Sequence, residues 1–171
     1  MEDALLHLEL ASKSENVKLA SDAFYLTARV FIDQLNFSEA HIALNKANER
    51  KLKSKKLKSL SDFVDGVILI QKGKVKKGCQ LITELLDTLG ENDPLIQSAL
   101  IYRSYGFVAI EKYEQAVEDI KRIKNSSDIV LYNKNLSKGI LRMDNEDYLM
   151  ASKYFGDAWK LFPKIKDAYC L

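Results

Sequence analysis

The chain has 171 residues, of which 47% are hydrophobic and 29% charged, a composition that suits one globular domain or a short helical solenoid. Seven glycines and two prolines are too few for a turn-rich β-sandwich, and the good helix formers Leu, Lys, Ala and Glu dominate. No apolar run is long enough to span a membrane, and the acidic N-terminus is unlike a signal peptide. Cys79 and Cys170 lack the spacing of a disulfide framework or zinc site. We therefore expect a cytoplasmic all-α protein, with the nucleus as the alternative compartment.

A first helix is predicted over residues 2–12, where Ala4, Leu8 and Ala11 form one stripe of small and large residues. Four helix pairs are predicted after it, at about 21–54, 59–92, 97–130 and 132–165. The first helix of each pair contains a small residue: Ala28, Gly66, Ser104 and Gly139. The second helix repeats an apolar–small–apolar–apolar stripe: Phe37-Ala40-Leu44-Ala47, Val75-Gly78-Ile82-Leu85, Tyr113-Ala116-Ile120-Ile123 and Tyr148-Ala151-Phe155-Ala158, the last followed by Pro163. Neither helix of a pair can bury its apolar stripe alone, so the pairs are expected to stack.

The repeated pattern resembles the tetratricopeptide repeat, a unit of about 34 residues with a helix, a tight turn and a second helix. The fourth copy carries the most complete match, and the resemblance covers residues 21–165. No copy has the leading Trp of the family, and Lys138 and Arg142 stand where the fourth copy should be apolar. The resemblance implies a right-handed α-solenoid of antiparallel helix pairs, that is, a tetratricopeptide-like superhelix.

The C-terminal edge predicts an unfilled stacking surface. A short flanking helix is expected over residues 166–171, at the position where a fifth pair would begin. Trp159, Phe162, Tyr169 and Leu171 then crowd an end that has no polar cap, although solenoids need one. We therefore expect the whole chain, residues 1–171, to be one domain and a fragment of a larger protein. The alternatives are a second copy or a partner at this edge.

Nothing in the sequence indicates catalysis. His7 and His41 are the only histidines and lie on separate predicted helices, and no glycine-rich phosphate loop is present. Acidic residues gather in the turn at 144–147, where helix capping accounts for them. We expect no catalytic residue, no bound metal, no cofactor and no enzymatic activity.

A basic block within residues 49–78 favours a different class of partner. It holds ten Lys or Arg against three Asp or Glu, and it divides into segments 50–58 and 72–77. Clustered cations can bind nucleic acid or another acidic surface. However, no aromatic side chain lies among the lysines for base stacking, and the two segments are expected on opposite edges of the stack. Nucleic acid is therefore the less favoured partner.

The resemblance also implies a concave groove, lined by the first helix of each pair, that holds a peptide. The groove residues projected onto this chain are Tyr25, Arg29, Ile32, Phe63, Val67, Ile70, Ile101, Tyr105, Val108, Leu136, Ile140 and Met143. Nearly all are apolar, so the Lys, Asn and Arg set with which members of the family grip the acidic C-terminus of a chaperone is missing. The competing interpretation is that the predicted register is shifted by one and these residues belong to the core.

The function expected from these features is that of a scaffold or adaptor within a larger assembly. It would bind an apolar peptide or helix of a protein partner in the groove. Two alternatives remain at this point. The first is an adaptor that binds nucleic acid or an acidic surface through the lysine segments. The second is a small cytosolic chaperone for apolar client segments.

Overall fold

The computed structural model of the chain describes residues 2–124 and 128–169, and it describes side chains through residue 161 apart from a few in the fourth pair. These residues form nine α-helices and no strand. The helices are α1 Glu2–Ser12, α2 Val17–Asp33, α3 Phe37–Glu49, α4 Lys55–Gln71, α5 Val75–Thr88, α6 Leu95–Ala109, α7 Tyr113–Arg122, α8 Asp128–Asp144 and α9 Tyr148–Tyr169. The predicted all-α class and the first helix at 2–12 therefore agree with the structure.

The helices divide into two sets by their contacts. Each helix packs against the next one in the chain, and the most extensive contacts join α2 to α3, α4 to α5, α6 to α7 and α8 to α9. In addition α4 contacts both α2 and α6, and α6 contacts α8. Among the described residues no odd-numbered helix contacts the next odd-numbered one. The even-numbered helices thus form a continuous layer, which we call the even layer.

The same turn joins the two helices of all four pairs. Its central residue adopts the left-handed conformation, with φ of 60° at Leu35, 75° at Gly73, 61° at Glu111 and 60° at Glu146. The next backbone N–H then donates to the carbonyl five residues earlier, as from Asn36 to Phe31 at 2.8 Å, which satisfies an orphan carbonyl of the preceding helix. These central residues lie 38, 38 and 35 residues apart, the spacing of the small residues in the sequence. The turns are therefore independent structural evidence that the same unit occurs four times along the chain.

Each of the first three pairs begins earlier than the sequence pattern predicts. The predicted starts are 21, 59 and 97, whereas the helices begin at Val17, Lys55 and Leu95. The starts of α2 and α4 are fixed by N-caps: the Asn16 side chain accepts from two backbone N–H groups and that of Ser54 from one. The repeated stripe reports only the packed middle of a helix, so it does not mark this end. The fourth pair likewise begins at Asp128 rather than 132.

The expected break after the fourth pair is absent. The repeat spacing predicts a separate helix over 166–171, at the position where a fifth pair would begin. In the structure α9 instead runs without interruption from Tyr148 to Tyr169. A proline removes one backbone hydrogen bond, which weakens or kinks a helix without necessarily ending it. Residues 170–171, and the side chains of Pro163, Phe162 and Tyr169, lie outside what the structure describes.

The small residues of the repeat lie where paired helices touch. Ala28, Ala40, Ala116 and Ala151 are completely buried, Ser104 and Ala158 nearly so, and Gly66, Gly78 and Gly139 are buried too. The backbones of α4 and α5 approach closely, since a Cβ added to Gly78 would lie 2.5 Å from the carbonyl oxygen of Gly66. At Gly139 an added Cβ would lie 2.5 Å from the half-buried ring of Phe155. These contacts give the small-residue pattern a steric cause.

Replacing Gly78 by Ala is therefore expected to destabilise the chain, although Ala is the better helix former. The new methyl group meets backbone, which cannot rotate away, so we expect a loss of about 1–3 kcal/mol in the free energy of unfolding. Gly156→Ala in α9 is the matched control, because nothing lies within 4 Å of its added Cβ. That change should stabilise by up to about 1 kcal/mol. Urea unfolding followed by circular dichroism measures both, and equal effects of the two changes would contradict this account.

Candidate protein-binding surface

Part of the predicted groove belongs to the core. Phe63 and Val67 have no exposed surface, and Ile32 and Ile70 are also buried. They pack in the central hydrophobic cluster formed by the first three pairs. The groove prediction is therefore wrong for these residues, and the interpretation as ordinary core is the correct one for them. Three of them lie on α4, whose side chains pack in this cluster with those of α2, α3, α5 and α6.

An aromatic cluster lies where α3, α4 and α6 meet. The rings of Phe37, Phe63 and Tyr102 meet edge to face, with centroids 5.1–6.3 Å apart. They come from α3, α4 and α6, so one cluster connects the first three pairs. Such geometry adds to the stabilisation from burial alone. The rings pack against one another and leave no apolar groove at α4.

The α2 part of the predicted groove is half-covered by charged neighbours. Tyr25 is half-buried, and the Lys56 ammonium lies 5.9 Å from its ring centroid. Arg29 is also half-buried and lies 3.9 Å from the Asp33 carboxylate, one helical turn away. Both the contact of the Tyr25 ring with the Lys56 ammonium and the ion pair of Arg29 with Asp33 involve charged groups. This end of the even layer is thus a mixed surface and not an apolar one.

The α6 part of the predicted groove remains open. Tyr105 is 51% exposed, while Ile101 and Val108 on the same helical stripe are half-buried. The only charged residue of α6 is Arg103, and its side chain lies on the other side of the helix, where it contacts α5 and α7. The solvent-facing side of α6 therefore carries no charge. A surface helix ordinarily carries charged residues on that face.

The one charged side chain of α6 is held in a buried ion pair. The Arg103 guanidinium donates two hydrogen bonds to the Asp119 carboxylate, at 2.8 and 2.6 Å, and a third to the Thr83 hydroxyl at 3.0 Å. Asp119 is almost fully buried and Arg103 nearly so. The network joins α5, α6 and α7. Sequence reasoning missed it, although a lone arginine in the otherwise uncharged segment 95–109 was a usable signal.

The α8 part of the predicted groove is apolar, like the α6 part. Leu136 and Ile140 are half-buried and Met143 is 45% exposed. The Lys138 side chain points toward α9, where its ammonium lies 5.3 Å from the centre of the Tyr154 ring. Because α8 contacts α6 in the even layer, apolar side chains occur on two adjacent helices. We call Ile101, Tyr105, Val108, Leu136, Ile140 and Met143 the α6–α8 surface.

The two lysine segments do not form one patch. Segment 50–58 precedes and begins α4, whereas 72–77 follows it, so the 17 residues of α4 separate them by about 25 Å. Arg50 is engaged internally, since its guanidinium donates to the carbonyls of Ser12 and Ser14.

The cleft beside segment 50–58 carries both signs of charge. Its volume is about 690 Å³, and both Lys53, Lys55 and Lys58 and the carboxylates of Asp62 and Asp65 line it. Burial, opposed by Lys58, raises the pKa of the Asp62 carboxyl above its usual value. Opposite charges within one cleft partly cancel, which makes it a poor site for a polyanion.

Two side chains among the described residues bear on reactivity. Burial, opposed by Arg103, raises the pKa of the Cys79 thiol to about 11, so it stays protonated and weakly nucleophilic at neutral pH. The Nδ1 atom of His41 lies 2.8 Å from a carboxylate oxygen of Asp65. No group of three or more His, Cys, Asp or Glu that could hold a metal is found in the part of the chain described.

Comparisons with known proteins give no assignment. No protein-family model matches the chain, and the search of curated proteins finds no match either. Among the described helices none is both long and apolar enough to cross a membrane. The surfaces of this chain are therefore the basis for a proposed function.

Proposed function

We propose that the chain is a protein-binding scaffold or adaptor, whose α6–α8 surface holds an apolar peptide or helix of a partner within a larger assembly. The four helix pairs would form a right-handed α-solenoid of antiparallel pairs, of the tetratricopeptide-like kind. The proposal rests on one observation above all: the solvent-facing side of α6 carries no charge and exposes Tyr105. Tyrosine and other aromatic residues are enriched at interfaces, because they combine a large apolar area with a polar group.

The contacts between helices support a concave side at the even layer. Within the described residues each even-numbered helix contacts the next even-numbered one, and no such contact joins successive odd-numbered helices, so the even layer is the more closely spaced of the two. A stack of pairs with one closely spaced layer curves around that layer. Tyr105 lies on the side of α6 opposite the side that Arg103 turns to α5 and α7, as we expect for a residue on the inside of such a curve.

The contrast between α7 and α6 supports the same surface. The odd-numbered helix α7 exposes Glu114, Glu118, Lys121 and Arg122, which is the charged face expected of a helix in water. In α6 the corresponding outward face exposes Tyr105 and Ala109 instead. An uncharged face next to a charged one is expected when the charged face is in water and the uncharged face contacts a partner.

The test places a photo-crosslinking amino acid at position 105. It should form a covalent adduct of one discrete mass in cells that express the chain, because the side chain would lie within the bound partner. The matched control places it at position 42, since Ile42 is similarly exposed on the odd-numbered helix α3. No adduct of that mass is expected there. Identical adduct patterns at the two positions would refute the proposal.

A substitution gives the complementary measurement. Tyr105→Glu should reduce the yield of the identified adduct partner on co-purification by about tenfold or more, as expected for an interface hot spot. Ile42→Glu should leave that yield unchanged. Helical circular dichroism should be the same for both, because both positions are exposed. Val67→Glu is unsuitable as a binding test, since a charge at this buried position unfolds the protein.

A further inference from the structure

Of the four turns that join the helices of a pair, the α4–α5 turn differs from the others in charge. The turns can be aligned on their left-handed residues. In the aligned windows, 33–39 holds two acidic residues and no Lys or Arg, 109–115 holds two acidic residues and one lysine, and 144–150 holds three acidic residues and no Lys or Arg. The window 71–77 holds four lysines and no acidic residue. Since the backbone geometry is shared, the turn itself does not require this difference.

The four lysines of the α4–α5 turn are exposed and unpaired. Lys72 is the C-cap of α4, Lys74 is the N-cap of α5, and Lys76 and Lys77 lie in the first turn of α5. All four are exposed, and none forms an ion pair with another described residue. No Asp or Glu occurs anywhere in residues 66–83. We call these four lysines the basic corner.

The basic corner is unfavourable for the stability of the free chain. The N-terminal end of a helix carries a partial positive charge, which favours acidic residues there and disfavours cations. The first turn of α5 nevertheless holds Lys76 and Lys77 and no acidic residue. Cations that are close together also repel one another. Folding therefore does not account for these lysines, whereas an acidic partner would relieve the repulsion among them.

The neighbouring turn restricts the kind of partner. In the even layer α4 and α6 run in the same direction, because the Phe63 ring meets that of Tyr102. Nearer the C-terminal ends of both helices, a Cβ added to Gly106 would lie 3.1 Å from the Ile70 side chain. The α6–α7 turn is thus next to the basic corner, at the spacing of packed helices of about 10 Å, and it exposes Glu111. A nucleic-acid duplex or a flat anionic membrane would lie against that acidic turn too.

We infer that the basic corner docks a short acidic segment of a protein partner, in which several Asp or Glu side chains lie close together. A single peptide chain is narrower than a duplex or a bilayer, so it contacts the four lysines without covering the acidic turn of the next pair. Nucleic acid is less suited, because window 71–77 contains no aromatic residue on which a base could stack. The inference concerns a different surface from the α6–α8 surface and does not depend on it.

The experiment uses the full chain and a fluorescein-labelled hexaglutamate peptide. The anisotropy of the peptide should rise to saturation as the chain is added, and binding should weaken as the salt concentration increases. Lys76→Glu combined with Lys77→Glu should weaken binding by about tenfold or more. The matched control is Lys53→Glu combined with Lys55→Glu, which reverses two exposed lysines of segment 50–58 and gives the same net charge. It should weaken binding by no more than about twofold, because that segment is more than a Debye length away.

The stability of the free chain gives a second readout of opposite sign. Lys76→Glu combined with Lys77→Glu should raise the urea concentration at the midpoint of unfolding, because carboxylates are favourable in the first turn of a helix. Loss of binding together with a gain in stability excludes unfolding as the cause of the loss. A lower midpoint would show that the lysines serve the fold, and would overturn the inference.

Three further outcomes would overturn the inference. The first is that hexaglutamate shows no saturable binding, or that the two double variants lose binding equally. The second is that a labelled single-stranded oligonucleotide, or vesicles that contain phosphatidylserine, bind more tightly than hexaglutamate through Lys76 and Lys77, which would identify another class of partner. The third is self-association in sedimentation equilibrium that the reversal of Lys76 and Lys77 abolishes, which would show that a second copy occupies the basic corner.

Discussion

Replacing Asp119 by Ala is expected to destabilise the chain by about 3–5 kcal/mol, the largest effect of any charged-residue substitution proposed for this protein. The change leaves the Arg103 guanidinium buried without its carboxylate partner, and a buried unpaired charge is the most unfavourable outcome of breaking such a pair. The measurement is the free energy of unfolding in urea at neutral pH.

Two controls make the Asp119 prediction specific. The neighbouring Glu118 lies 3.9 Å from Lys121 on the exposed side of α7, so Glu118→Ala should cost no more than about 1 kcal/mol. The double change Arg103→Met with Asp119→Leu should recover most of the loss, because apolar side chains of similar volume can replace a buried pair. A loss at Asp119 no larger than that at Glu118 would contradict the structural account.

Phe63→Ala is expected to cost about 3–5 kcal/mol in the free energy of unfolding, because it removes a fully buried ring and opens a cavity between three helices. Tyr105→Ala, in contrast, should change stability by no more than about 1 kcal/mol, since half of that side chain is already in water. Thermal and urea unfolding of the two variants measure the difference. The sequence pattern assigns both residues to the groove, whereas the structure places Phe63 in the core and Tyr105 on the surface. Similar losses of stability for the two variants would contradict that distinction.

The repeat could be predicted from the sequence because it is a steric pattern. The small residues recur at intervals set by the close approach of paired helices, which the contact between Gly66 and Gly78 shows directly. The tight turns were also predictable in position. Their left-handed residues were not, since Leu35 and Glu111 occupy a conformation that normally favours glycine.

The candidate surface was only partly predictable, for a different reason. Helical periodicity tells which residues share a stripe, but it does not tell whether a neighbouring helix covers that stripe. Val67 and Tyr105 occupy the same position of their repeats, yet one is completely buried and the other is half-exposed. The difference arises from long-range packing: Val67 belongs to the central hydrophobic cluster, to which residues of five helices contribute, and Tyr105 does not. The pairing of Arg103 with Asp119 is likewise a long-range contact that no local pattern encodes.

The Arg103 network has a consequence for how the molecule unfolds. In a linear array of repeats, each unit is coupled to its neighbours through the interfaces they share, and the strength of each coupling determines how much of the array opens at once. Thr83 belongs to the second pair, whereas Arg103 and Asp119 belong to the third, so one network spans that junction. Opening either pair alone would expose or orphan the buried guanidinium. We therefore expect the second and third pairs to open as a single cooperative unit, so that their amide hydrogens exchange with solvent together and more slowly than those of α9.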